Sequence, residues 1–96
     1  MVKVLVLGTL KPGSWDKVRP LYKELTEETR KEKGCIEYTL YVDPKDDHSC
    51  FTMETWEDEA AFEAHKVSDH VKRIGPQIGE MRVAPAQIIV LKEAEL

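Results

Sequence analysis

The sequence predicts an α+β fold of the ferredoxin-like kind: a β-α-β-β-α-β order forming an antiparallel sheet with its helices on one face. Three observations carry this. Short runs rich in Val, Ile, Leu and Tyr stand near both ends and in the middle of the chain. Apolar residues at helical spacing lie between them. A polar turn joins the two central runs, so the second should return antiparallel to the first. At 96 residues the chain reads as one domain, 1–96.

Residues 2–10 read as the first strand, and Lys11-Pro12-Gly13 as the turn that ends it. Ser14 is placed to cap a helix with its hydroxyl. Trp15, Val18, Tyr22, Leu25 and Thr29 then recur at helical spacing. Pro20 falls inside this helix and is expected to bend it at most, because the amphipathic pattern continues beyond. Gly34 suits the left-handed conformation that ends a helix. Residues 35–42 form the second strand, with Ile36, Tyr38, Leu40 and Val42 on one face and Glu37, Thr39 and Tyr41 on the other.

Asp43-Pro44-Lys45-Asp46-Asp47 is the polar turn. Residues 49–56 form the third strand, with Phe51, Met53 and Thr55 on one face and Cys50, Thr52, Glu54 and Trp56 on the other. Asp58 is placed to cap a second helix holding Ala61, Phe62 and His65. Ser68 caps a further helical stretch through Gly79, expected to bend or break at Gly75-Pro76. Residues 82–92 close the chain with a last strand, Gln87-Ile88-Ile89-Val90-Leu91.

The helices cover only one face of such a sheet, so the other face should be polar if it meets water. Here both faces carry apolar residues. The first strand has Val4 and Val6 on one side and Leu5 and Leu7 on the other. If Phe51 and Met53 pack under the helices, Trp56, Cys50 and Thr52 point away from them. A two-sided apolar sheet in so small a chain calls for a partner, and a second copy packed open face to open face would supply one.

Composition narrows the function classes. The formal net charge is -4, and the only basic cluster, Arg30, Lys31 and Lys33, is interrupted by Glu32. That is the solvated end of a helix rather than a phosphate-binding stripe, so no nucleic acid is expected. No apolar run has the length of a membrane span, and the N-terminus lacks the shape of a signal peptide, so no membrane is expected and the location should be cytoplasmic. Cys35 and Cys50 fall in strands and should be reduced thiols. His48, His65 and His70 lack zinc or facial-triad spacing, and there is no glycine-rich phosphate loop. No metal and no cofactor is therefore expected.

Three segments carry a resemblance. Gly34-Cys35-Ile36-Glu37-Tyr38 resembles a glycine–cysteine–x–x–tyrosine segment, Glu54-Thr55-Trp56-Glu57-Asp58 a Glu-x-Trp-x-Asp segment, and Ala64-His65-Lys66-Val67-Ser68-Asp69-His70 an Ala-His-x-x-Ser-x-His segment. In this order and spacing they resemble the antibiotic biosynthesis monooxygenase family. The resemblance implies a dimeric α/β barrel, two sheets packed face to face, with a pocket in each subunit between sheet and helices. It also implies a cofactor-independent monooxygenase that oxidises a small phenol or quinol with O2. The alternatives are an isomerase or lyase acting on a small polar metabolite, and a non-catalytic small-molecule-binding or stress-response dimer.

His65, Glu54 and Tyr38 are the candidate catalytic residues. A histidine titrating near neutrality suits the deprotonation of a phenol. His65 and His70 are five apart and cannot share a helical face, but a break at Ser68 would let both approach one pocket. Trp56 and Phe62 are candidate pocket aromatics, and Thr52, His70 and Arg73 candidate substrate-binding residues, with Arg82 a second arginine able to orient an anion. The sequence holds no asparagine, where relatives with the oxygenase activity place one on the third strand. Thr52 offers a hydroxyl there instead.

Overall fold

Val4 of the first strand pairs with Glu54 on one side and Val90 on the other, and this triplet marks the centre of the sheet. The computed structural model describes residues Met1–Leu96. The elements are β1 (Val2–Thr9), α1 (Trp15–Arg30), β2 (Cys35–Asp43), β3 (Asp46–Trp56), α2 (Glu59–Lys66), α3 (Asp69–Glu80) and β4 (Gln87–Leu91). The four strands form one sheet in the order β2-β3-β1-β4, every pair antiparallel. The three helices lie on one side of it, the ferredoxin-like arrangement the periodicity predicts.

The helices form for the expected reasons, with differences at their ends. Asp58 is extended (φ -156, ψ 176), and its carboxylate accepts from the Ala61 N–H at 2.8 Å. Ser14 makes no such bond. Its backbone is already helical (φ -85, ψ -15), whereas a capping side chain needs the extended conformation. Ser68 is extended, but its hydroxyl donates instead to the His65 carbonyl at 2.8 Å and so closes α2 rather than opening α3. Pro20 and Pro76 are both accommodated. α3 continues through Gly75-Pro76 instead of breaking, with Ile74 and Ile78 buried on its inner face. Gly34 lies beyond the end of α1, at φ +83 in the turn to β2. A Cβ there would stand 2.6 Å from the Ala61 Cβ, so glycine serves both the backbone and the approach of α2.

Register settles which sheet face the helices cover, and it reverses one expectation. Trp56 pairs with Val2, Glu54 with Val4, Thr52 with Val6 and Cys50 with Gly8. Val4 and Trp56 are fully buried, so Cys50, Thr52, Glu54 and Trp56 face the helices. Phe51 and Met53 lie on the open face with Leu5 and Leu7. Hydrophobicity alone favours Phe51 and Met53 as the covered pair. The polar set Thr52, Glu54 and Trp56 can take that place because its members satisfy one another, as described below.

A bulge between Cys35 and Glu37 also shifts β2 by one residue. Ile36 is thereby left 56% exposed instead of joining the face of Tyr38. At the other edge, Ile88 and Val90 of β4 remain largely uncovered by the helices.

Candidate functional site

Alternation along β3 delivers Thr52 and Glu54 to the layer between sheet and helices. The Glu54 carboxylate is 3% exposed. It accepts from the Trp56 indole N–H at 3.0 Å and from the Thr52 hydroxyl at 3.3 Å. Burial pushes its pKa up, opposed by the Trp56 hydrogen bond, then by His65 and Thr52. Trp56 itself has no exposed surface and stacks obliquely on His65, ring centroids 4.7 Å apart.

His65 comes from the last turn of α2. Its Nε2 stands 3.9 Å from Glu54 Oε1, and its Nδ1 is 2.7 Å from Glu32 Oε2. A carboxylate only accepts, which assigns the proton to Nδ1 and leaves the Nε2 lone pair on the Glu54 side. His70 Nε2 donates to the same Glu32 oxygen at 2.8 Å. Glu32, in the turn after α1, thus clamps two imidazoles from two helices. Side-chain exposure rises outward along this chain, from 3% at Glu54 and 8% at His65 to 14% at Glu32 and His70.

Glu54 and His65 line two adjoining cavities. One, of about 130 Å³, is bounded also by Tyr38, Thr52, Tyr22 and Arg82. The other, of about 310 Å³, adds Phe62 and Ile88, and the two share Val6, Glu54, His65 and Val71. Larger depressions exist, such as one of about 510 Å³ between α1 and β2, but none encloses a buried acid–base pair. Tyr38 is buried beside His65, and desolvation, reinforced by the Glu54 charge, holds its phenol protonated far above the usual range.

The fold therefore brings together His65, Glu54, Tyr38, Thr52 and Phe62. It does not make Trp56 a pocket wall: the indole sits behind Glu54 and reaches the cavity only through it. His70 lies on the far side of Glu32. Arg73, expected at the substrate, stands instead on the outer surface of α3 in an ion pair with Glu24, and Arg82 is the arginine at the cavity. In the sequence Glu32 only interrupts a basic run. Nothing local marks it, because its partners lie 33 and 38 residues away. That separation also hides the one partly buried set whose ligand atoms lie within cation-binding range of each other, Glu32, His65 and His70. A second such set, Asp46, Asp47 and His48, is on the exposed hairpin.

Residues 1–76 match the family model described as antibiotic biosynthesis monooxygenase. A crystal structure described by the same words is 35% identical, with a TM-score of 0.93 over 99% of this chain and 100% of that one. A protein from Methanosarcina mazei is 31% identical, with a TM-score of 0.91 over 97% of this chain and 92% of its own. An uncharacterised protein of Synechocystis is 29% identical over 94 residues, 96% of this chain and 64% of its length. An uncharacterised protein of Bacillus subtilis is 37% identical over 49 residues, 51% of this chain and 47% of its length. The chain thus spans less than two thirds of the curated relatives it matches.

Proposed function

The chain belongs to the antibiotic biosynthesis monooxygenase family, and from that premise we propose that it oxidises a small phenol or quinol with O2, without metal or organic cofactor, as a homodimer. The observation that carries this reading is the line Glu32–His65–Glu54, whose inner half opens on a cavity between sheet and helices. A cavity of about 130 Å³ is on the scale of the ~150 Å³ sites that take a benzene ring, and it continues into the adjoining space.

His65 is the base. Glu32 orients it and stabilises the imidazolium that forms when Nε2 takes the phenolic proton. The phenolate then passes an electron to O2. One oxygen atom enters the ring, and the other leaves as water with the phenolic and ring hydrogens, so a phenol and O2 give a para-quinone and H2O. The substrate supplies all four electrons. Glu54, whose pKa burial raises, faces the same cavity and is placed to exchange a proton with the reduced oxygen. Tyr38 and Thr52 present hydroxyls to the substrate, and Phe62 packs on its ring.

The test is oxygen uptake by chelator-treated protein with a panel of phenols and quinols under ¹⁸O2. One labelled atom should appear in the quinone, and His65→Ala should abolish the rate. No uptake above buffer across the panel would sink the reading. The pairing of His65 with a buried carboxyl also suits an isomerase, which would exchange substrate hydrogen with D2O and consume no O2.

A further inference from the structure

The cavity has a second polar end that none of this chemistry uses. Arg82, bridged to Leu10 just beyond α3, folds its guanidinium over Gly8. A Cβ on Gly8 would stand 2.6 Å from Arg82 Nε, so the arginine occupies the space a side chain would take. Its Nη2 donates to the Tyr22 hydroxyl at 3.0 Å, while its Nε is buried and has no partner. No carboxylate lies within 4.0 Å of this guanidinium, whereas the sheltered carboxylates Glu54 and Glu32 each have two hydrogen-bonding partners. A sheltered guanidinium with an orphaned N–H is costly unless an anion completes it. Tyr22 accepts from Arg82 and keeps its own proton to give. Its neighbour on the other side is only the Cys50 thiol, at 3.7 Å.

Register sets this end apart from the acid–base end. Gly8 pairs with Cys50 and Val4 with Glu54, four residues further along β3, or roughly 13 Å of strand. Arg82, Tyr22, Glu54 and His65 nevertheless line the same cavity. We propose that Arg82 and Tyr22 form an anion subsite, so that the cavity selects a small aromatic molecule carrying a carboxylate or similar anion meta to its reacting hydroxyl, which leaves the para ring position free for oxygen. The inference rests on the reading of the cavity as a substrate site and names the substrate class. The anion accepts from the remaining guanidinium N–H groups of Arg82 and from Tyr22, and the ring spans Thr52 and Tyr38 to place its hydroxyl at His65.

Calorimetric titration of the wild-type protein with 3-hydroxybenzoate and its uncharged isostere 3-hydroxybenzamide tests this without turnover. The acid should bind about tenfold more tightly or better, the strength of charge-assisted hydrogen bonds to a guanidinium. Arg82→Gln should erase that preference, and Tyr22→Phe should reduce it. Should Arg82→Gln not fold, Arg82→Lys, which keeps the charge but loses the planar fork of donors, should show a reduced preference. Equal binding of acid and amide, no binding of either, or a preference that survives Arg82→Gln would overturn the proposal. Acid-selective binding with no oxygen uptake would instead remove the oxygenase reading and leave the subsite standing.

Discussion

Glu32 Oε2 stands 2.7 Å from His65 Nδ1, and this pair decides which nitrogen of the imidazole faces the cavity. The same oxygen holds His70 at 2.8 Å, so one carboxylate ties the turn after α1 to both α2 and α3.

Glu32→Gln keeps the shape but removes the charge from a junction of two imidazole donors. Equilibrium urea unfolding should show a loss of about 1–3 kcal/mol, the cost of weakened and unmet buried hydrogen bonds. His70→Ala should cost less in the Glu32→Gln background than alone, because the two share one bond. Strictly additive losses would show that the clamp is not a unit.

Glu54 gives a pH dependence of definite sign. Burial raises its pKa in the folded chain above the ordinary 4.5. Below 4.5 the group is protonated in both states and costs the fold nothing. As pH rises, the unfolded chain gives up this proton first, so stability falls until the folded pKa has been passed. Glu54→Gln lacks that loss. Its urea midpoint should therefore gain on the wild type as pH rises from 4 upward. Parallel curves for the two proteins would contradict the assignment.

Trp56→Phe keeps most of the buried ring and removes the N–H that Glu54 accepts. A loss of about 1–2 kcal/mol is expected at neutral pH. The deficit should shrink toward pH 4, where Glu54 no longer needs a donor to its charge. A deficit independent of pH would mean that the ring's volume, not its N–H, is what matters.

Gly34→Ala meets two obstacles at once, a φ of +83 and a contact of 2.6 Å with Ala61. Left-handed backbone and overpacking together should cost about 2 kcal/mol or more. Thermal unfolding followed by circular dichroism would register this. Gly13→Ala, at φ +76 with open space around it, should lose only the backbone share.

The open face of the sheet carries Leu5, Leu7, Phe51 and Met53 with no helix above it. If two copies meet there, light scattering should give twice the 11.0 kDa chain mass. Met53→Lys should return it to the single-chain value, since a lysine centred on that face would be buried unpaired. A wild-type mass of 11.0 kDa would end the dimer proposal.

The element order, the antiparallel pairing and the Asp58 cap were legible in the sequence, because periodicity, turns and capping are local properties. His65, Glu54, Tyr38, Thr52 and Phe62, singled out in the sequence, line the two adjoining cavities of the structure. The side of β3 that lies under the helices was not legible. Both sides carry large apolar residues, and the side that is covered holds a carboxylate that looks misplaced until Trp56 and Thr52 are seen to satisfy it. Periodicity separates two faces but does not name the inner one when both are apolar.

Glu32 belongs to the tertiary structure alone: it is unremarkable in its own segment and acquires a role only through partners more than thirty residues away. Of the two arginines the sequence offers for an anion, Arg73 and Arg82, only packing selects the one at the cavity. The sequence determined that this chain would build a small antiparallel sheet with histidines and a glutamate near one end. Folding decided which nitrogen of His65 faces the cavity, and which arginine stands across from it. Both depend on distances of about 3 Å between groups that only packing brings together.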